Sequence, residues 1–237
     1  MTVQILTNSQ INKAGKALRE WWDDFEAPVE ALDTYLDDAF HVLVRFRAAH
    51  QRPMTKATRG LRMMVATEGA KVEVSQRLKR IPTIVDKLSR QPSMKLANMH
   101  DIAGCRAVLQ TVDEVRRVER RLSRNRPPVR VYDYIEGPRE SGYRGVHVIV
   151  LYDNRKIEVQ LRTRVMHDWA IAVERLGGRL QTDLKSGRGP APLLAWLSAV
   201  SEAMALEEAG EVVDTQLVER IQVLRKGALP YLQEGRP

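Results

Sequence analysis

Cysteine, aromatic residues and long apolar runs are all scarce in this 237-residue sequence, and each shortage excludes a class of protein. Cys105 is the only cysteine, so neither an internal disulfide nor a cysteine metal cluster can form. No stretch approaches the roughly 18 consecutive apolar residues of a membrane helix, and the N-terminus lacks the pattern of a signal peptide. Aromatic residues are 5% of the chain and do not interleave with basic residues, which argues against a plain RNA-binding module. We therefore expect a cytoplasmic globular protein.

The chain is strongly basic, with a formal net charge of +8 and a pI near 9.8. An excess of Lys and Arg favours polyanionic partners such as nucleotides or RNA. Solubility alone explains the same excess equally well, because net charge carries no argument about the fold. The hydrophobic fraction of 43% suffices for one sizeable core.

Apolar periodicity changes several times along the chain and predicts an α/β (α+β) architecture. We predict helices over 10–50, a strand at 72–79, a helix at 82–90, a strand at 102–109, a helix at 113–124, strands at 129–135, 144–152 and 155–162, and helices at 163–176, 190–208 and 211–228. Asp153-Asn154 predicts a tight hairpin turn, and Gly177-Gly178 predicts the end of a helix.

This order of elements predicts a mixed central sheet with helices packed on it, in one compact domain. Residues 1–70 form a helical N-terminal extension, 71–180 the core, and 190–230 two C-terminal helices. Residues 53–70 show no clear periodicity, although the run Met63-Met64-Val65 is typical of buried positions. The apolar stripe on the terminal helices must be buried on the core or on another subunit, so a homo-oligomer and a monomer are both open.

A row of polar side chains follows the last predicted strand. Ile157, Val159 and Leu161 point to one face, and Lys156, Glu158, Gln160 and Arg162 point to the other. This pattern alone favours a sheet face that is simply solvated. Asp101 precedes an apolar strand and is typical of a strand-end cap. Paired with Glu158 from a neighbouring strand, Asp101 could instead hold Mg2+, which prefers a few carboxylate oxygens and leaves other positions for phosphates.

The stretch 136–147 is rich in glycine, and Tyr143 is predicted to be exposed between two glycines. An exposed aromatic side chain can stack on a base, and a structural turn tyrosine is an equally good interpretation. The basic residues Arg77, Lys79 and Lys87 supply charge that binds phosphate.

Two common phosphate-binding loops, Gly-x-x-x-x-Gly-Lys-Ser/Thr and Gly-x-Gly-x-x-Gly, are absent. Phosphate binding would therefore depend on scattered basic residues and a metal ion. The pairs His100-Asp101 and His167-Asp168 could indicate a metal phosphohydrolase, but no further histidine cluster supports them. We interpret both pairs as incidental to metal hydrolysis.

Five stretches, taken in chain order, resemble the RelA/SpoT synthetase family. They are Arg77-Leu78-Lys79 with Thr83-Ile84-Val85-Asp86-Lys87, Asp101-Ile102-Ala103-Gly104-Cys105-Arg106, Asp133-Tyr134-Ile135-Glu136-Gly137-Pro138-Arg139, Gly142-Tyr143-Arg144-Gly145-Val146-His147 and Glu158-Val159-Gln160-Leu161-Arg162-Thr163. Each stretch alone is a weak signal, and five in register over residues 70–176 are a strong one. The resemblance implies a nucleotidyltransferase-like, Mg2+-dependent enzyme that moves the β,γ-pyrophosphate of ATP to the ribose 3′-hydroxyl of GTP or GDP, making the alarmone (p)ppGpp.

The same resemblance implies a role for each matched residue. Asp101 and Glu158 match the metal-binding and catalytic acids. The ATP-binding set is Arg77 and Arg106, which sandwich the adenine, together with Lys79, Lys87 and Thr83. The acceptor-binding set is Tyr143, which stacks on the acceptor base, together with Arg144, His147, Gln160 and Arg162.

Departures from the family's usual pattern concern the acceptor side more than the ATP side. Gly145 stands where Ser is usual, Tyr132 where Lys is usual, Arg139 where Lys is common, and Thr83 where Ser is usual. The acceptor is therefore open. The first alternative is a toxic small synthetase that modifies the 3′ end of tRNA and has a protein antitoxin. The second is an inactive nucleotide or RNA sensor, against which the intact acids argue.

The flanking segments are too short for the hydrolase domain and the ribosome-sensing region of long family members, so the resemblance implies a small, synthesis-only member. Asp101 and Arg106 are five residues apart, so a regular strand would send them to opposite faces. Asp101 must therefore precede the regular strand, or a bulge must intervene.

Arginine is concentrated around the helix at 113–124. The seven arginines are Arg116, Arg117, Arg120, Arg121, Arg124, Arg126 and Arg130. Spacings of three and four residues gather five of them along neighbouring helical rows. A solvated surface is the usual explanation, and a phosphate-binding face for RNA is the alternative.

Overall fold

A computed structural model describes residues 6–23, 33–67 and 72–233. The helices are α1 (Asn8–Asp23), α2 (Asp33–Ala48), α3 (Gln51–Ala66), α4 (Ile81–Arg90), α5 (Val112–Asn125), α6 (Arg164–Arg179), α7 (Ala191–Ala209) and α8 (Thr215–Gln233). The strands are β1 (Glu73–Leu78), β2 (Ala103–Leu109), β3 (Arg130–Asp133), β4 (Val146–Tyr152) and β5 (Arg155–Thr163). Short 3-10 turns occupy Leu96–Asn98 and Leu184–Ser186. None of the described helices has the length and hydrophobicity that crossing a bilayer requires.

The five strands form one mixed sheet in the order β1-β2-β5-β4-β3, with helices packed on it, and the predicted α+β class is confirmed. The turn between β4 and β5 is the predicted hairpin, because Asp153 and Asn154 both have positive φ angles of 48° and 59°. Those values are typical of a two-residue type I′ turn. β2 begins at Ala103, so Asp101 precedes the regular strand and no bulge is needed.

Packing divides the chain into two compact units. The first comprises Met1–Arg62, Val74–Cys105 and Ile149–Val159. Its core is built by α1, α2 and α4. Ile11 and Leu18 of α1, which lie on one helical face, are fully buried beside Leu43 of α2. The helix α4 begins as its sequence predicts, with Pro82 in the first turn, where a missing N–H costs nothing.

The second unit comprises Met63–Glu73, Arg106–Val148 and Gln160–Pro237. Its core packs α6 against α7 around Trp169, Leu193 and Leu197, and it contains the fully buried ring of Tyr143. Thr111 caps the N-terminus of α5, and its hydroxyl accepts a hydrogen bond from the Glu114 backbone N–H. The predicted division into 1–70, 71–180 and 190–230 stays a prediction, and residues 24–32 and 68–71 within it lie outside the described residues.

Two local predictions are wrong. Gly177 and Gly178 do not end a helix, because α6 continues to Arg179. A Cβ on Gly177 would lie 2.5 Å from the Thr182 carbonyl oxygen, so this glycine is required by close packing and not by helix termination. Met63 is 66% exposed, whereas Met64 and Val65 are buried as predicted. Cys105 is buried as predicted, and burial raises the pKa of its thiol to about 12.

Candidate active site

Asp101 lies at the centre of an ionic cluster in the first unit. Its two carboxylate oxygens accept hydrogen bonds from different lysines: Oδ1 from Lys87 Nζ at 2.9 Å and Oδ2 from Lys79 Nζ at 3.1 Å. Lys79 directly follows β1 and is fixed there by a backbone hydrogen bond from its N–H to the Ile102 carbonyl. Lys87 comes from the last turn of α4. The two lysines predicted to bind phosphate therefore meet the acid that is predicted to bind metal.

Charge keeps Asp101 ionised although it is largely buried. Burial opposes ionisation, but Lys87 and Lys79 outweigh it and hold the pKa of the Asp101 carboxyl below its ordinary value. Glu158 acts in the opposite direction, because its like charge raises the pKa of Asp101. The charge of Glu158 therefore acts on Asp101, and the binding of one metal ion by both carboxylates stays a prediction.

Strand pairing places Glu158. β5 is the neighbour of β2 in the sheet, and a Cβ on Gly104 would lie 2.8 Å from the Glu158 carbonyl oxygen. Gly104 therefore permits a close approach of the two backbones. Along β5, Ile157, Val159 and Leu161 are buried, as the alternation predicts.

The residues present fit a magnesium site. Mg2+ takes oxygen ligands and usually binds through one or two carboxylates, with water and substrate phosphates completing the octahedron. Asp101 and Glu158 supply two carboxylates, and the lowered pKa of Asp101 keeps that group anionic at neutral pH. No group of three or more His, Cys, Asp or Glu residues within the described ranges could hold a metal, so an all-protein cage is not the type of site found there.

The residues predicted to bind adenine are placed on separate strands. Arg77 is exposed on β1, in the first unit. Arg106 is half-buried on β2, in the second unit, and its Nε donates to Gln160 Oε1 at 3.3 Å. Thr83 donates its hydroxyl to the Arg80 carbonyl at 3.0 Å and so stabilises the start of α4. The adenine sandwich and the ATP contact of Thr83 stay predictions.

The prediction that Tyr143 is exposed is wrong. Its ring is fully buried in the second unit, and its hydroxyl lies 2.5 Å from His147 Nε2 and accepts a hydrogen bond from Arg162 Nε at 3.0 Å. Because Arg162 can only donate, the Tyr143 hydroxyl is free to donate its own proton to His147. Arg162 is also fully buried and donates to Gln160 Oε1 at 3.0 Å. We call Tyr143, His147, Gln160 and Arg162 the tyrosine cluster.

The loop around Tyr143 is fixed by α7. Gly142 has φ +83°, and a Cβ there would lie 2.7 Å from Ser201 Cβ and 2.9 Å from Ser198 Cα. Ser201 donates its hydroxyl to the Gly142 carbonyl at 2.5 Å. Both the positive φ and the close approach require glycine, so this segment cannot be read from turn composition alone.

Cations surround the Tyr143 ring. Arg162 Cζ lies 4.9 Å, Lys185 Nζ 5.2 Å and Arg139 Cζ 5.4 Å from its centroid. Burial lowers the pKa of Lys185, and the charge of Arg162 lowers it further. Lys185 pairs with Glu174 at 2.7 Å, and this pair outweighs burial to hold the pKa of Glu174 below its ordinary value. Such a concentration of cations suits an anionic ligand.

Sequence reasoning missed Lys185 and Glu174, and it set His167 aside as part of an incidental His-Asp pair. Lys185 lies on a 3-10 turn at the edge of a Gly/Pro-rich loop, and Glu174 is one of several charged residues of α6. Burial lowers the pKa of His167, and the charges of Arg106 and Arg162 lower it further, so a neutral ring faces Arg106. No local signal marks Lys185 and Glu174, because only the packing of α6 brings them to the tyrosine cluster.

Arg144 has a different environment from the four residues of the tyrosine cluster. It lines a small cavity with Trp169 and Glu208, and its buried Nε has no hydrogen-bond partner among the described residues. Burial lowers the pKa of Arg144, although Glu208 partly opposes the effect. Its acceptor-binding role stays a prediction.

The arginine-rich segment does structural as well as surface work. Arg116 donates to Asp133 Oδ2 at 2.5 Å and to Glu119 Oε2 at 2.9 Å, and Arg121 donates to Thr67 and to the Met64 carbonyl. Arg117, Arg120 and Arg124 have exposed side chains. A solvated or phosphate-binding face is therefore confined to part of the segment.

Comparison with known proteins identifies the family. Residues 76–175 match the family described as "Region found in RelA / SpoT proteins". The chain is 32% identical over 153 residues to the GTP pyrophosphokinase YjbM of Bacillus subtilis. The aligned region covers 59% of this chain and 70% of YjbM. It is 33% identical over 124 residues to the GTP pyrophosphokinase YwaC of the same organism. This second alignment covers 46% of this chain and 59% of YwaC.

A solved structure supports the same assignment. The crystal structure of small alarmone synthetase 1 from Bacillus subtilis, bound to its product pppGpp, superposes with a TM-score of 0.59 at 28% identity. The match covers 72% of this chain and 98% of that structure. Residues 76–175, which match the family, contain Asp101, Glu158 and the tyrosine cluster. This chain is therefore an enzyme of the RelA/SpoT family.

Proposed function

We propose that this protein transfers the β,γ-pyrophosphate of ATP to the ribose 3′-hydroxyl of GTP or GDP, giving pppGpp or ppGpp. The observation that carries the proposal is the ionic cluster in which Asp101, under the influence of Glu158, holds two lysines at 2.9 and 3.1 Å. It combines carboxylates for a metal with cations for a polyphosphate chain. The names of YjbM and YwaC and the pppGpp bound in the related structure support the same chemistry.

In the proposed reaction the 3′-oxygen of the acceptor bonds to the β-phosphorus of ATP. The bond from that phosphorus to the oxygen bridging to the α-phosphorus breaks, and AMP leaves with the electron pair. The proton of the hydroxyl passes to a base, for which Glu158 is our candidate. Lys79 and Lys87 would leave Asp101 to contact the phosphates, and Arg77 and Arg106 would bind the adenine. Much of the rate in such reactions comes from positioning and charge.

Asp101 and Glu158 would hold Mg2+. The ion, when bound, offsets negative charge on the transferring phosphates, which is worth several kcal/mol in metal catalysis generally. The tyrosine cluster, with Arg139 and Lys185, would hold the acceptor. Since the Tyr143 ring is buried, stacking on an acceptor base requires the ring to leave its contacts with His147 and Arg162.

The test is transfer from ATP labelled at the γ-phosphate to GTP, to GDP and to bulk tRNA, each with Mg2+. We expect labelled GTP and GDP products and, from α-labelled ATP, AMP in equal amount. Formation of ADP instead of AMP would show transfer of one phosphoryl group and would contradict the proposal. No labelled product with any acceptor would favour the inactive sensor.

Transfer to the 3′ end of tRNA is the second candidate. Its support is the exposed row of Arg117, Arg120 and Arg124, together with Tyr132 at a position where the family usually has Lys. A toxic product of that kind would need a protein antitoxin. Label in tRNA and none in GTP or GDP would establish it, and replacing Arg117, Arg120 and Arg124 with Glu should then remove tRNA binding, with a steep salt dependence in the unchanged protein.

Homo-oligomerisation stays a prediction. Much of the apolar stripe on the terminal helices is buried within the chain itself, as Leu193, Leu197 and Leu217 show. Val218 and Val223 of α8 remain 41% and 65% exposed. Light scattering across micromolar concentrations distinguishes a monomer from a symmetric assembly that covers those side chains.

A further inference from the structure

Gln160 connects residues that are predicted to bind different substrates. It is half-buried on β5, between Glu158 and Arg162 on the same face of the strand. Its side-chain oxygen accepts two hydrogen bonds, from Arg106 Nε at 3.3 Å and from Arg162 Nη2 at 3.0 Å. The resemblance places Arg106 with ATP and Arg162 with the acceptor, so one amide joins the two sets of residues.

The identity of the shared atom follows from its neighbours. A guanidinium group can only donate hydrogen bonds, so the atom of Gln160 that faces both arginines is the carbonyl oxygen and not the amide nitrogen. An amide oxygen has two lone pairs and can accept both bonds at once. Gln160 therefore holds two positive charges with one neutral acceptor.

The charges of the two arginines make this arrangement demanding. Burial lowers the pKa of His167, and the charges of Arg106 and Arg162 lower it further. Burial also lowers the pKa of Lys185, and the same two charges add to that shift. Two like charges that share one acceptor repel each other, so each guanidinium needs a fixed partner to keep its orientation.

The contacts continue from each arginine towards its predicted substrate. Arg162 is fully buried, its Nε donates to the Tyr143 hydroxyl at 3.0 Å, and its Cζ lies 4.9 Å from the Tyr143 ring centroid. On the other side, Arg106 Nη1 lies 3.5 Å from His167 Nδ1. Gln160 thus stands between Arg106 and the network that holds Tyr143.

We propose that Gln160 is a positioning residue for both substrates: its amide oxygen orients Arg106 on the adenine of ATP and Arg162 beside the acceptor-binding ring of Tyr143. This inference rests on the proposed function and differs from the acceptor contact that the resemblance implies for Gln160. Because a guanidinium is a planar fork, an error in its orientation misplaces every bond that it makes. Loss of the amide oxygen should therefore weaken the binding of both substrates, although Gln160 itself contacts neither.

The test measures dissociation constants by calorimetry, with Mg2+, for GDP and for α,β-methylene-ATP, in which a methylene group replaces the oxygen of the bond that breaks. Gln160→Met keeps the length of the side chain and removes the acceptor, so it should weaken the binding of both ligands about 10-fold. Gln160→Glu keeps an acceptor oxygen for both arginines and should bind both ligands nearly as the unchanged protein does. Gln110→Met is the matched control, because Gln110 is exposed just after the end of β2.

A double-substitution cycle shows whether Gln160 acts through Arg106. Arg106→Ala removes the group that is positioned, so adding Gln160→Met to it should cause little further loss of affinity for α,β-methylene-ATP. The affinity for GDP should still fall in the double variant, since Arg162 is unchanged and loses its acceptor. Circular dichroism of each variant excludes unfolding as the cause.

Three outcomes would overturn the inference: unchanged affinity for either ligand in Gln160→Met, an equal loss of affinity for the ATP analogue from Gln160→Met with and without Arg106, or a loss as large in Gln160→Glu as in Gln160→Met. Unchanged affinity for the analogue together with weaker GDP binding would make Gln160 a direct ligand of the acceptor. Failure of the proposed function appears elsewhere, because the unchanged protein would then transfer no label from ATP to GTP or GDP. Expected affinities without such transfer would keep the role of Gln160 and overturn the proposed reaction alone.

Discussion

The ionic cluster around Asp101 and the tyrosine cluster around Tyr143 are built in opposite ways. Asp101 lies just before β2 and forms ion pairs with two lysines from neighbouring elements. Lys79 directly follows β1, and Lys87 lies in the last turn of α4. Tyr143 and Arg162 are fully buried, and α6, α7 and a 3-10 turn enclose them. The charged side chains of the first cluster are thus partly exposed to solvent, so a bound polyphosphate can rearrange them. The second is a packed network whose rearrangement requires the movement of buried groups.

This difference predicts how substitutions in each cluster divide their effects between catalysis and stability. Solvent-exposed ion pairs contribute little to stability, typically 0–1 kcal/mol, and the mostly buried pairs of Asp101 cost more to break. A buried polar group that loses its partner costs about 1–3 kcal/mol. Substitutions in the Asp101 cluster should therefore reduce catalysis and lower stability to a smaller extent. Substitutions in the tyrosine cluster, where Tyr143 and Arg162 are fully buried, should reduce catalysis and lower stability more.

The largest effect is expected for the acids. Asp101→Asn or Glu158→Gln should reduce pyrophosphate transfer about 1000-fold or more, because an amide cannot replace an anionic metal ligand and a metal contribution of several kcal/mol corresponds to that factor. Steady-state transfer to GTP and far-UV circular dichroism measure the two consequences. Near-normal turnover in either variant would contradict the assignment.

A glycine in the Tyr143 loop should have the next largest effect. Gly142→Ala adds a Cβ at φ +83°, 2.9 Å from the Ser198 Cα. The strained φ costs about 1–2 kcal/mol, and overpacking adds about 1–3 kcal/mol. Urea denaturation should show the corresponding fall in the free energy of unfolding.

Gly178→Ala is the matched control for that experiment. Gly178 lies in α6, and a Cβ there meets no atom within 4 Å. Alanine should therefore stabilise the protein by about 0.5–1 kcal/mol. An equal loss in both variants would mean that close packing on α7 does not decide the outcome.

Two substitutions of Tyr143 distinguish the role of its ring from the role of its hydroxyl. Tyr143→Phe leaves Arg162 Nε and His147 Nε2 without their shared partner, so the free energy of unfolding should fall by about 1–3 kcal/mol. If the ring stacks on the acceptor, the Phe variant keeps the KM for GTP and Tyr143→Ala raises it. An unchanged KM for GTP in the Ala variant would exclude stacking by this ring.

The smallest effect concerns pH and lies in the first unit. His50 is 2% exposed, and its Nδ1–H donates to the Phe46 carbonyl at 2.8 Å. Burial lowers the pKa of His50 to about 4; the bond to Phe46 acts against this shift, and the charge of Arg155 adds to it. The unfolded state therefore binds the proton more readily, and stability is lost as the pH falls from about 6.5 towards 4.

Between pH 7 and 5.5 the loss from His50 should be about 1 kcal/mol. Urea midpoints at the two pH values measure it. His50→Gln carries no titrating ring, so its midpoint should depend less on pH over this range, whatever its absolute stability. A pH dependence identical to that of the unchanged protein would show that another group dominates.

Local sequence was enough for most of the scaffold. Pro82 marks the start of α4, Asp153-Asn154 marks the β4–β5 turn, and alternation along β5 separates its buried residues from Glu158. Even the parity of Asp101 and Arg106 predicted that Asp101 lies before the strand, because side chains in a strand alternate strictly. These features follow from backbone conformations within a few residues, and the family resemblance rests on the same short stretches.

Only the tertiary structure decided the environment of the site. Tyr143 has a loop-like sequence context, yet its ring is buried because α6 and α7 close over it; Arg162 has the alternation of a solvated residue, yet it is fully buried. Gly177 has the composition of a helix end, yet it is there because the Thr182 carbonyl passes close by. Lys185 and Glu174 join the tyrosine cluster through the packing of α6. Local sequence determines which conformations a segment can adopt, whereas burial and charge pairing depend on which distant segments pack against it.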